Sequence, residues 1–432
     1  MTFRYAKILQ NNSFPNSYSN RVDINSLSIS HLLLNPFIKK SIENRDSRIV
    51  NFITDNIREL IRISIFSDDN VLSNKANNII SIGNYAIISS ISNCNYLQDL
   101  FHNLLEHHNS KNISNLATIL QQCITLFPES INSTLGFFGE MISFSSEYSV
   151  VYMFEVLLSN SGLIPLFYFL KRNDFVNNII KEMVQSDNDE LRFGLIQVYY
   201  FSCKNEVLKA DCISSTSLNF LATFQSESTI INQYYWKILS EIISIDNIQI
   251  IHTVIDLAFI ELSRISATIN QYHVETINFL SRVLLIDSSV FKPSYIQSII
   301  DTFLIIYRDH SHHSFALSAV NELMVKIIHE FPTNTSILNP IVIFFSSLNS
   351  LGDNITRRAY LVSFINIVIN ELQINIGSSQ PIFKGNIDHL DSQSCLHLKL
   401  CELKCQLGII DTDTISSPIS NEVFETNLLT IP

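Results

Sequence analysis

Glycine and proline are scarce in this chain, with 9 and 10 residues among 432. That excludes a large all-β protein, which needs turn residues between many short strands, and an α/β enzyme with glycine-rich βα turns. Charge is also low: Asp, Glu, Lys and Arg make up 16% of the residues, against about 25% in an average globular domain. No window clusters Lys and Arg, and the net charge is −12. Phosphate neutralisation needs clustered cations, so nucleic acid is not expected as the main ligand. No apolar run approaches the roughly 18–20 residues of a membrane span; LIPLFYFL (163–170) and IVIFFSSL (341–348) are too short. The opening MTFRYAKILQNNS lacks the basic-then-apolar pattern of a secretory signal. Cysteines are few, scattered and odd in number, seven in all, which reads as reduced thiols in a cytoplasmic or nuclear protein.

What remains is apolar residues at three- and four-residue spacing. In SRIVNFITDNIRELIRISIF (47–66), Ile49, Phe52, Ile53, Ile57, Leu60 and Ile61 form one helical stripe. Similar stripes run through 96–108, 113–127, 150–159, 163–184, 194–208, 229–243, 250–264, 270–286, 293–307, 315–330 and 357–373, separated by short Asn/Asp/Ser breaks. The many Ile, Val and Thr residues favour strands by propensity alone, but runs of 12–20 residues without period-two alternation favour helices. Serial helices with short breaks predict an all-α fold, an irregular HEAT/armadillo-like α-solenoid of stacked helix pairs. No fixed repeat length emerges. The expected organisation is an extension over 1–25, the solenoid over 26–375, and a loop, one short helix and a polar tail over 376–432. An α-solenoid leaves a long surface that binds another protein, so the pattern alone also fits a generic HEAT- or armadillo-type adaptor in trafficking or nuclear transport.

Two stretches carry metal-ligating residue types. YRDHSHHSF (307–315) places His310, His312, His313 and Asp309 within five residues. A metal needs three or four converging ligands, and a chain this tightly spaced supplies at most two without contortion. The stretch reads instead as a turn between helices, with its histidines on an exposed loop. In CLHLKLCELKC (395–405), His397, Cys401 and Cys405 share one helical face but lack a C-x₂-C knuckle, so core packing is the simpler reading. His107 and His108 close a helix. No phosphate-cradling glycine loop, Gly-x-Ser-x-Gly elbow or His-Glu-x-x-His pair occurs, so no catalysis, cofactor or metal is expected.

Six segments in order resemble the SAPS-domain family, the regulatory subunits of protein phosphatase 6 and their fungal counterparts. They are 37–60, 113–127, 149–158, 273–285, 301–329 and 357–372, and together they span roughly 30–375. Each is largely an apolar helix pattern, and their colinearity carries the resemblance. The family's turn tryptophan is replaced around His312, and Tyr152, His273 and the pair Val362-Ser363 also depart from it, so the chain resembles a divergent member. The resemblance implies a non-catalytic scaffold that binds a protein phosphatase 6-like catalytic subunit and directs its substrate choice or localisation, with an ankyrin-repeat protein as a third component. It further implies partner contacts at Asn44 and Arg48, at His312, His313 and Phe315, and at Arg357, Arg358 and Tyr360.

Overall fold

Every element among the described residues is a helix. The computed structural model describes residues 28–265 and 268–331, together with 359–361, 363, 364 and 367. They belong to two compact units, divided between Ile242 and Ile243.

The first unit holds α1 (Ile29–Leu33), α2 (Ile38–Glu43), α3 (Ser47–Asp55), α4 (Ile57–Phe66), α5 (Asn70–Ser81), α6 (Tyr85–Ser92), α7 (Tyr96–Glu106) and α8 (Ser110–Leu126). Two 3₁₀ turns follow, Pro128–Asn132 and Phe138–Phe144. Then come α9 (Tyr148–Ser159), α10 (Ile164–Arg172), α11 (Phe175–Gln185), α12 (Asp189–Lys204), α13 (Lys209–Cys212), α14 (Ser215–Thr223) and α15 (Thr229–Ile242). The second unit holds α16 (Ile248–Ser263), α17 (Gln271–Ile286), α18 (Pro293–Asp309) and α19 (Ser314–Glu330), with short 3₁₀ turns at Ile245–Asn247 and Ser288–Val290.

The polar breaks read from the sequence act as helix caps. Asp46, Asp69, Asn84, Asn109 and Asn188 each accept a hydrogen bond from a backbone N–H in the first turn of the following helix, satisfying a donor that the helix itself leaves open. Asparagine also ends helices here. Asn56, Asn93 and Asn173 each donate their side-chain amide to the carbonyl four residues back, at 2.8–2.9 Å. This competition for the last carbonyls replaces the usual glycine terminator. Gly83, at φ +69, closes α5 in the ordinary left-handed way, donating its N–H to the Ile80 carbonyl at 3.0 Å.

Two of the apolar stripes are therefore helix pairs, not single helices. Residues 47–66 divide at Asn56, and 163–184 divide at Asn173 and Asp174, the latter in the left-handed region at φ 53. The stretch 128–144 is the other departure. It is not a polar break: Ile131, Leu135, Phe137, Phe138, Met141, Ile142 and Phe144 are buried there. Pro128 opens it, and Gly136 and Gly139 interrupt it, which keeps the backbone in short 3₁₀ pieces.

Packing joins helices close together in the chain. In the first unit α4, α5 and α6 pack on α8, and α8, α9, α12 and α15 form a row in successive contact. α11 packs between α12 and the shorter α10 and α14. The Phe154 ring lies 5.1 Å from Phe138 and 5.4 Å from Phe175, joining α9 to the second 3₁₀ turn and α11. Asn205, at the C-cap of α12, is buried and donates Nδ2 to the Leu158 carbonyl at 3.0 Å, while its Oδ1 accepts from the N–H groups of Val207 and Leu208. Asn205→Ala is expected to cost about 2–3 kcal/mol of stability in urea unfolding, because it strands a buried carbonyl and two amides at once. In the second unit α16 packs on α17 and α18, and α19 packs on α17 and α18. There the buried Tyr307 hydroxyl donates to Asn321 Oδ1 at 2.8 Å, and Asn321 Nδ2 donates to the Tyr360 carbonyl at 3.2 Å.

Candidate protein-binding surfaces

The turn between α18 and α19 is where the histidine-rich stretch falls, and its side chains divide by burial. His312 is exposed, and Phe315, in the first turn of α19, is 70% exposed. His313 is half-buried: it is the N-cap of α19, and its Nδ1 accepts the Ala316 N–H at 3.3 Å. His310 and Ser311 are buried, which corrects the expectation that the whole histidine run decorates an exposed loop. The reason is tertiary. His310 is the C-cap of α18, and its ring turns inward to lie within electrostatic reach of His273 on α17.

His273 is the third residue of α17, and its Nδ1 accepts the Asn270 N–H at 3.0 Å, the return arm of a capping box. The neutral ring therefore carries its proton on Nε2. The Tyr272 ring lies beside it, tilted by 38° with ring centroids 3.9 Å apart. The Nε2 atoms of both His273 and His310 are buried without a hydrogen-bond partner. Burial, with His310 and Arg264 nearby, lowers the pKa of His273 to about 4; burial likewise lowers that of His310, opposed by Asp309. Such depressed values mean that each neutral ring contributes stability above pH ~6.5, lost as pH falls towards the folded-state value.

Near the start of the first unit, Asn44 is the exposed C-cap of α2, its N–H bonded to the Lys40 carbonyl at 2.9 Å. Arg48 is exposed on α3, with Nε 3.7 Å from Asp46 Oδ1. The two residues flank one turn, whose Arg45 holds a left-handed φ of 58. His312, His313 and Phe315 share the turn of the second unit, and Tyr360 is tied through its carbonyl to α19. Arg357, Arg358 and the 395–405 cluster lie outside the described residues, as does most of the 357–373 segment.

One surface in the first unit went unread in the sequence. On α9, Tyr148 (77% exposed) stacks on Tyr152 with centroids 6.2 Å apart. On α12 and α15, Tyr200 and Tyr234 meet edge-to-face at 5.7 Å, and Lys204 and Lys237 lie over their rings at 4.5 and 5.1 Å. Lysine ammonium groups over half-buried tyrosine faces make cation–π contacts, and tyrosine is enriched at protein interfaces. The signal was available as Tyr148/Tyr152 and Tyr200/Lys204 at i, i+4, on the side of each helix opposite its core stripe. A separate cleft of about 400 Å³ lies among Phe101, Leu105, Gly139, Glu140, Lys181 and Glu182.

Among the described residues no group of three or more His, Cys, Asp or Glu side chains is placed to hold a metal ion, and the four described cysteines are free and buried. No single described helix is long and apolar enough to cross a membrane. No family model matches the chain, and no curated protein matches it.

Proposed function

We propose that the chain is a non-catalytic scaffold, an irregular α-solenoid that binds a protein phosphatase 6-like catalytic subunit and directs its substrate choice or localisation. The observation that supports this reading is packing between helices near one another in the chain, α8 with α9, α9 with α12 and α12 with α15 in the first unit, and α16 to α19 among themselves in the second. It agrees with the colinear order of the six segments that resemble the SAPS family. The scaffold acts by placement: holding an enzyme beside its substrate raises the local concentration of one for the other without new chemistry. The contact residues are Asn44 and Arg48 in the first unit, and His312, His313, Phe315 and Tyr360 with Arg357 and Arg358 in the second; an ankyrin-repeat protein completes the assembly.

The test is affinity capture of the tagged chain from its own cells, read by mass spectrometry. A type-2A-class catalytic subunit is expected in near-stoichiometric amount. The double substitution His312→Ala, Phe315→Ala should reduce its recovery about tenfold while leaving the thermal midpoint unchanged, since both side chains project into solvent. Capture of other proteins with no phosphatase would overturn the phosphatase reading and leave a generic adaptor.

A further inference from the structure

The buried histidines of the second unit have a use that the scaffold reading does not assign. His273 is 2% exposed and His310 6%. Each presents an Nε2 atom to the interior with no partner, an arrangement that gains nothing from the polarity of the ring and is costly once the ring is charged.

The groups facing the pair sharpen that cost. From α16, Arg264 faces His273, its Nη1 bonded to Glu261 Oε1 at 2.7 Å. From α17 itself comes the adjacent, tilted ring of Tyr272. From the turn, His312 and His313 face His310, and so does Asp309, the one carboxylate among its charged neighbours. Both Asp309 oxygens already bind the Arg308 guanidinium, at 2.9–3.1 Å. A proton on either ring therefore meets a buried site, a second imidazole, and carboxylates already paired with arginine.

We propose that His273 and His310 form an acid-sensitive latch, in which protonation drives His310 out of its buried seat at the end of α18 and releases the turn bearing His312, His313 and Phe315. The neutral pair holds the turn closed. The charged pair frees it, and the already exposed surface assigned above to the partner loses its fixed placement. Only the consequence for binding rests on the scaffold reading; the latch itself stands on the second unit alone.

Hydrogen exchange of the full chain between pH 7.5 and 4.5, corrected for the intrinsic pH dependence of exchange, reads the latch directly. Protection of peptides covering 305–316 and 270–276 should fall roughly 30-fold by pH 5, the factor by which a ring of pKa about 4 favours a state where it titrates near 6.5. Peptides from α12 should not change. His273→Gln keeps an acceptor suited to the third position of a capping box but cannot titrate, and should flatten the profile. An unchanged fall in His273→Gln, or no fall in the wild-type chain, would overturn the latch. Should that variant not fold, ring-proton titration of the wild-type chain decides: either histidine titrating at the free value sinks the proposal, and both titrating below it as the turn loses protection supports it. Partner capture that fails at pH 7.5 while the exchange profile holds removes the scaffold reading and leaves the latch.

Discussion

Gly194→Ala is expected to destabilise the first unit by about 3 kcal/mol or more, against the usual preference of a helix for alanine. Gly194 lies within α12, where alanine would ordinarily gain up to about 1 kcal/mol. A Cβ at this position would fall 1.6 Å from the Ser145 carbonyl oxygen and 2.5 Å from its carbonyl carbon. These are backbone atoms at the end of the second 3₁₀ turn, so no rotamer change relieves the clash. α12 must move off the turn, and it cannot do so alone, because it also packs on α9, α11 and α15. Overpacking of a rigid contact costs about 1–3 kcal/mol, and more when backbone must shift. Gly136→Ala is the control: its nearest neighbour would lie at 3.6 Å, ordinary contact, and Gly136 is exposed. Urea unfolding of both variants checks the pair. Equal midpoints would show that α12 does not approach Ser145 as described.

Phe154→Ala should cost about 4 kcal/mol, the range for removing a fully buried aromatic ring. The side chain is 0% exposed, and its ring contacts those of both Phe138 and Phe175. Its removal leaves a cavity between three elements held in place by other contacts, so collapse around it is limited. Against a whole-domain stability of about 5–15 kcal/mol, the loss should lower the urea midpoint sharply with the slope unchanged, since the surface exposed on unfolding is nearly the same. Phe154→Leu should recover more than half of it. A cost below about 1 kcal/mol would mean that the cluster is not packed as found.

Helix type was legible wherever an apolar stripe is long and keeps a 3.6 period; from α15 to α19 the observed limits fall within a few residues of the stripes, whereas α5, α6 and α14 lie outside every stripe. The breaks inside stripes were not legible. Asn56 and Asn173 look like ordinary surface residues of one helix, yet at each the helix ends and the side-chain amide donates a hydrogen bond to the carbonyl four residues back. The 128–144 stretch was missed because its burial follows no helical period. At the candidate site, the turn itself and the exposure of His312 and Phe315 could be read from DHSHHSF. The burial of His310 could not, because it is set by tertiary packing around the end of α18, which no local pattern reports. The tyrosine surface on α9, α12 and α15 was hidden by the same habit of reading a helix only for its core face.

The order in which the helices meet has a kinetic side. α8 finds α9, α9 finds α12, and α12 finds α15, each partner being at most three helices further along the chain. Little loop-closure entropy stands between one contact and the next, and topologies dominated by such local contacts fold fast for their size. A ribosome emitting this chain releases each helix shortly after the surface it will cover. Assembly can then proceed from the N-terminal side during synthesis, with no strand pairing among the described residues to wait for.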